Sequence, residues 1–219
     1  MAAGPVDFFV VSSGPILAVH DTAYLPADDS RYGDAPRCDA CGQFVDGRLW
    51  LPPFRVELTL RGSEWGDFAC FGSRGAFLVS DRAAAVLTEA GLTGLSGFEP
   101  VEVVRASGAK LPQPVYVHVV VARGHAVVDE RRSQLIRPEP PKCDHCLSAP
   151  LEGINGFVVD AGSWAGTDVF FPRGFTGLVV ASRAFRDVVD SAGLTNITLT
   201  PTSNYEWDPY DLSFMPPLE

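Results

Sequence analysis

The sequence predicts an α+β fold of two related halves, each mainly antiparallel strands with one amphipathic helix. Three observations carry that prediction. The stretch GAFLVSDRAAAVLTEAGLTGL from Gly75 aligns without gaps with GLVVASRAFRDVVDSAGLTNI from Gly177, at an offset of 102 (182 − 80, 192 − 90). A C-x-x-C pair precedes each stretch, Cys38 with Cys41 and Cys143 with Cys146, offset by 105 (143 − 38). A strand-like run follows each, GFEPVEVV near Phe98 and NITLTPT near Ile197.

Each repeat is legible residue by residue. Ser80 and Ser182 stand where an N-cap hydroxyl accepts from the first free backbone amides. Ala83, Val86, Leu87 and Ala90 follow the spacing of one apolar helix face, and Phe185, Val188, Val189 and Ala192 repeat it. Gly91 and Gly193 supply the left-handed residue that ends each helix. Upstream, Trp65 and Trp164 precede Arg74-Gly75 and Arg173-Gly174 by the same nine-residue step. Between the repeats, PVYVHVVVARGHAVVD reads as two strands around a turn at Gly124. The polar, proline-containing RRSQLIRPEPPK then serves as a connector. It puts the boundary near residues 136–142, between an N-terminal half (1–136) and a C-terminal half (137–219) of one compact body.

Composition narrows the function classes. A chain of 219 residues with 46% hydrophobic and 11% aromatic content can bury a sizeable core. Its 27 acidic residues outnumber 17 basic ones, for a formal charge of −10. Such a chain repels phosphate backbones and anionic lipid, so neither nucleic acid nor a membrane surface is an expected partner; a basic protein is. The N-terminal MAAGPVDFFVVSSGPILAV has no Lys or Arg ahead of its apolar run, and Ser12 to Pro15 interrupt that run. It reads as neither secretory signal nor membrane span, so a cytoplasmic location, where thiols stay reduced, is expected.

In that setting two C-x-x-C knuckles point first to a structural zinc, held in a tetrahedron by Cys38, Cys41, Cys143 and Cys146. The separation of the pairs exceeds the usual ribbon spacing of about 15 to 20 residues. Closure entropy grows only logarithmically with loop length, and related halves can bring equivalent pairs together. Redox chemistry is the weaker reading, because Asp39 and Asp144 lie inside the pairs and neither pair clearly opens a helix. Buried thiols without metal are the third. Cys70, alone among aromatics in DFACFG, reads as a small core residue.

Little else suggests an enzyme. No phosphate-binding loop, dinucleotide fingerprint, zinc-protease helix or nucleophile elbow occurs. The zinc deaminase signature fails at its general acid/base, since Ala126 and Val127 follow His125, and Lys142 separates Pro141 from Cys143. His118 lies opposite Val117 and Val119 in its strand and is expected on the less buried side. His20 beside Asp21, and His125 near Asp129, read as loop-edge residues. Two segments mix acids with aromatics. One is YLPADDSRYGD, with Asp28 and Asp29; the other is the tail, with Tyr205, Glu206, Trp207, Asp208 and Tyr210. Either set could contact a basic partner, although tail aromatics also commonly pack back on their own domain.

Two C-x-x-C pairs about a hundred residues apart, the first followed by Gly42, resemble the double-CXXCG motif family, paralogues abundant in myxobacteria. The likeness would run from about Phe8 to about Pro201, and it departs at the second pair, where Leu147 replaces the glycine. Some members of that family are immunity proteins paired with polymorphic toxins. The resemblance therefore implies a non-enzymatic, zinc-stabilised protein that neutralises a cognate toxin by occlusion. The alternative is a zinc-stabilised interaction or regulatory scaffold with no toxin partner.

Overall fold

A computed structural model describes residues 7–69, 76–108 and 112–209. The N-terminal part contributes β1 (Phe8–Ser13), β2 (Thr22–Pro26), β3 (Arg31–Tyr32), β4 (Trp50–Leu51), β5 (Arg55–Leu60), β6 (Phe68–Ala69), β7 (Ala76–Ser80), α1 (Asp81–Glu89), β8 (Leu95–Pro100), β9 (Glu102–Ser107), β10 (Tyr116–Val127) and β11 (Leu135–Ile136). The rest contributes β12 (Gly153–Asn155), β13 (Val169–Arg173), β14 (Val180–Ser182), α2 (Arg183–Ala192), β15 (Ile197–Pro201), a 3-10 turn (Thr202–Asn204) and β16 (Glu206–Trp207). The fold is α+β and mostly strand.

One large sheet organises the rest, in the order β15-β1-β14-β13-β10-β7-β6, with β8 also on β10. Its pairings are antiparallel except where β10 meets β13 side by side. Successive strand residues point to opposite faces, and both faces are covered. On one face Phe77, Val79, Val117, Val119 and Ala181 pack under the helices, which supply Ala83, Leu87, Phe185 and Val189. On the other, Leu78 and Tyr116 pack against Tyr24, Val56 and Leu58 of a small sheet, β2-β5-β9. Farther along that face, Phe8, Val10, Phe170 and Val180 meet Ile154, Phe157 and Phe175, where a second small sheet, β11-β12-β16, lies. A two-stranded hairpin pairs β3 with β4.

The helices start and stop as expected. Ser80 Oγ accepts from the Ala83 amide and Ser182 Oγ from the Phe185 amide. Gly91 and Gly193, just past the helix ends, are left-handed at φ 65° and 57°.

Two expectations are overturned. The segment read as two strands around Gly124 is one strand of 12 residues, β10. A side chain at Gly124 would come 2.7 Å from a Phe170 ring carbon, so the glycine serves close packing rather than a turn. His118 is not on a less buried side; it is 3% exposed. The face opposite Val117 is sealed by Phe54, stacked on the imidazole at 4.1 Å, and by Trp50, edge-on at 5.2 Å. Cys70, Arg74 and Gly75 fall outside the described residues.

Strand registers on the two sides run in step. Ser80 pairs with Tyr116 and Val117 with Pro100, while Ser182 pairs with Phe8 and Phe9 with Pro201. The threonine of each Ala-Gly-Leu-Thr also reaches across the molecule. Thr195 donates its amide and hydroxyl to Asp67 Oδ2, both at 2.9 Å, and Ser80 donates to Oδ1 at 2.8 Å. Thr93 donates its amide and hydroxyl to Asp168 Oδ2 at 2.9 and 2.8 Å, and Ser182 donates to Oδ1 at 2.8 Å.

Candidate metal centre

Each C-x-x-C pair forms one tight turn. Around the first, the Gly42 amide donates to the Cys38 carbonyl at 2.8 Å; around the second, the Leu147 amide donates to the Cys143 carbonyl at 2.9 Å. Both turns need a left-handed residue after the second thiol. Gly42 supplies it at φ 74°, and Leu147 adopts it at φ 55° despite its Cβ. The missing second glycine thus changes the cost of the knuckle but not its hydrogen bond.

Arginines fix both knuckles. Arg37 donates to the Gly42 carbonyl at 2.9 Å and lies 3.7 Å over the Phe44 ring. Arg173, at the end of β13, donates to the carbonyls of Asp144 and His145 at 2.8 and 2.6 Å. A side chain at Gly174 would sit 2.5 Å from the Leu147 carbonyl, so β13 delivers its end directly against the second knuckle. The loop after the first knuckle is tied to β10 by Asp46 and Arg123, 3.1 Å apart.

These anchors bring the four sulfurs within 4.8 Å of one another. Cys38 faces Cys143 at 3.9 Å and Cys41 faces Cys146 at 3.7 Å, far beyond the roughly 2.0 Å of a disulfide. A tetrahedral thiolate site with bonds of about 2.3 Å sets its sulfurs about 3.8 Å apart. The four cysteines can therefore hold a metal ion.

The electrostatics ask for a cation. A hydrogen bond with His145, whose Nδ1 lies 3.4 Å from Cys38 Sγ, holds the Cys38 thiol down to about 6. Backbone contacts with Cys146 and His145 lower Cys143 as well. Burial raises Cys146. A backbone contact at Gln43 favours the Cys41 thiolate, but burial and the neighbouring sulfurs outweigh it and push this thiol up to about 12. The four thiols are thus pushed in opposite directions by their surroundings, and a positive ion among them would favour the thiolate form of all four.

His145 lies inside the second C-x-x-C yet partners a thiol of the first, which spacing alone does not reveal. A cleft of about 290 Å³ opens beside the sulfurs, lined by Arg37, Arg123, His125, His145, Phe171 and Arg173 among others. The acidic and aromatic candidates lie elsewhere. Asp28 and Asp29 are exposed after β2, and Asp29 pairs with Arg55. Tyr205 packs edge-on against Phe157 and joins that core, while the exposed Glu206 and Trp207 form β16 on β12. Asp208 is exposed, and Tyr210 falls outside the described residues. No helix among the described residues is long and apolar enough to cross a membrane.

The family model described as Immunity protein family (Imm11) matches residues 48–204. The match takes in both helices and the second C-x-x-C pair; the first pair precedes it, and it does not speak to the double-CXXCG motif. No curated protein matches the chain.

Proposed function

The chain belongs to the Imm11 immunity protein family, and from that premise we propose that it binds and neutralises a cognate protein toxin by occlusion. The observation that carries this reading is the family match over residues 48–204. The formal charge of −10 favours a basic surface on the toxin. Exposed Asp28, Asp29, Glu206, Trp207 and Asp208 are candidate contacts.

We further propose that one zinc ion, bound by Cys38, Cys41, Cys143 and Cys146, cross-links the two knuckles. The near-tetrahedral spacing of the sulfurs supports it. Bound zinc supplies the charge that lets all four thiols ionise, and four thiolates leave it no open position for substrate. With the thiols ionised, His145 Nδ1, 3.4 Å away, would donate to the Cys38 sulfur, and Arg37 and Arg173 hold the knuckle carbonyls. The site is therefore assigned a structural role in a protein working in a reducing cytoplasm. We read the chain as a duplicated unit divided near residues 136–142; the matched registers and the crossed threonine contacts support this.

Elemental analysis is expected to give about one zinc per chain, and Cys38→Ser to lose both metal and cooperative fold. Two ions per chain, or none in a fully stable protein, rules out the shared site. Co-expression with the toxin encoded beside this gene should protect the cell and yield a complex; neither effect means the toxin reading is wrong. A zinc-stabilised scaffold without a toxin would pass the metal test and fail this one.

A further inference from the structure

Residues 14–21, between β1 and β2, end in a tip of exposed aliphatic side chains. Ile16 is 74% exposed, Leu17 75% and Val19 53%. Single exposed aliphatics are ordinary, but three within residues 16–19 are a concentration that needs a reason.

This loop is held, not slack. Asp21, only 1% exposed, accepts from the Leu17 amide at 2.7 Å and from the Arg61 guanidinium at 2.8 Å. Its carbonyl takes the amides of Arg61 and Gly62, and the Val19 carbonyl takes those of Ser63 and Glu64. A side chain at Gly62 would come 2.2 Å from both the Ala18 and Val19 carbonyls, so only glycine lets this clamp close. Across the loop, the Gly14 amide donates to the Asn196 carbonyl at 3.1 Å. Leu17 itself sits at φ 61°, a left-handed conformation that costs a non-glycine residue stability. The fold thus holds an unfavourable backbone in order to present an unfavourable surface. Strain kept on an exposed apolar tip is a mark of a binding element whose ordering entropy is already spent before the partner arrives.

Arg61–Glu64 lie within the family-matched residues 48–204, while Asp21 and the tip precede them. Membership of an immunity protein family makes a toxin the partner to which such a held loop would be presented. The chain's acidity disfavours an anionic membrane as the occupant.

We propose that Ile16, Leu17 and Val19 form a preorganised knob that inserts into an apolar cleft of the cognate toxin. This rests on the toxin-neutralising reading above and names the contact that would achieve it. The probe is the toxin domain encoded beside this gene, inactivated by substitution, titrated calorimetrically into the full chain. The double variant Ile16→Asp/Leu17→Asp should weaken binding about 100-fold or more, with an unchanged urea midpoint, because neither side chain is buried. Leu17→Gly should weaken binding while leaving stability equal or higher. Asp21→Asn should speed amide exchange at Leu17 and lose affinity in step.

If the wild-type chain binds the toxin and the double variant binds within about threefold of it, the knob assignment is overturned and the toxin reading stands. If the wild-type chain does not bind, the toxin reading itself falls. A wild-type dimer that the double variant dissolves, with toxin binding untouched, assigns the knob to a second copy and overturns the proposal.

Discussion

Two carboxylates, Asp67 and Asp168, do the same work at the starts of the two helices, yet they are not equally committed. Each holds the N-cap serine of the helix that follows it and the threonine that ends the other Ala-Gly-Leu-Thr. Asp67 also takes Arg82 at 3.1 and 2.5 Å, and Arg82 reaches on to the carbonyls of Ala192 and Gly193 past the end of α2. The position 102 residues later holds Ala184, which can make no such bridge. Asp67 is buried while Asp168 is only half-buried. Burial alone would raise the Asp67 pKa, but Arg82, the Thr195 amide and Ser80 together hold it below the usual carboxylate range. One grip is a charged hub between the two parts; the other is a simpler latch.

The largest expected effect tests that inequality. Asp67→Ala strands two hydroxyls and an amide in a buried setting and should lower the unfolding free energy by about 3 kcal/mol or more. Asp168→Ala, with water able to replace the carboxylate, should lower it by about 1–2 kcal/mol. Arg82→Ala should account for no more than about 1 kcal/mol, since its guanidinium is half in solvent. Urea unfolding of the three variants measures the differences. Equal losses at the two aspartates would mean that the shared serine and threonine contacts carry the whole effect and that Arg82 adds nothing.

A second inequality lies one layer deeper. In β10 the residue paired with Leu78 is His118; in β1 the residue paired with Val180 is Val10. Burial pushes the His118 pKa down from its ordinary 6.5 to about 4. The neutral imidazole is therefore the folded form, while the unfolded chain takes up a proton near pH 6.5. Stability is full above that pH and is lost as pH falls toward about 4, by about 3 kcal/mol in all. His118→Val, which copies the β1 residue, should flatten the pH dependence of the urea midpoint between pH 6.5 and 4. A profile as steep as wild type would place the titrating group elsewhere.

What the sequence discloses follows from how far each interaction reaches. Ser80, Ser182 and the apolar helix faces are legible because a cap acts over three residues and an amphipathic stripe over seven. The thiol cluster is legible because both knuckles are written out locally. Asp67 and Asp168 are not, since their threonine partners lie 128 and 75 positions away. His118 misleads because alternation reports which face a residue takes, not whether a second layer covers that face. Phe54 arrives from the residue just before β5, and Trp50 from the β3-β4 hairpin. Gly124 misleads for a related reason: a glycine that admits Phe170 looks the same in sequence as one that turns the chain. Asp21 gives no signal at all as a loop-edge acid, although it is among the most buried polar residues of the fold.

The smallest expected effect concerns the knuckles, where the residue after the second thiol is Gly42 on one side and Leu147 on the other, in the same left-handed conformation. Gly42 has open space where a Cβ would lie, so Gly42→Ala tests backbone strain with no steric clash. The left-handed residue should then cost about 1 kcal/mol of stability, read from the urea midpoint of the metal-loaded protein. Leu147 already bears that cost. Leu147→Gly relieves it but gives up the packing of a half-buried side chain and adds freedom to the unfolded chain, so a net change within about 0.5 kcal/mol is expected. If Leu147→Gly stabilises by a full 1 kcal/mol, its side chain contributes nothing to the knuckle. If it destabilises by more than that, Leu147 is a packing residue that holds the second turn against β13, and the departure from glycine is structural in its own right.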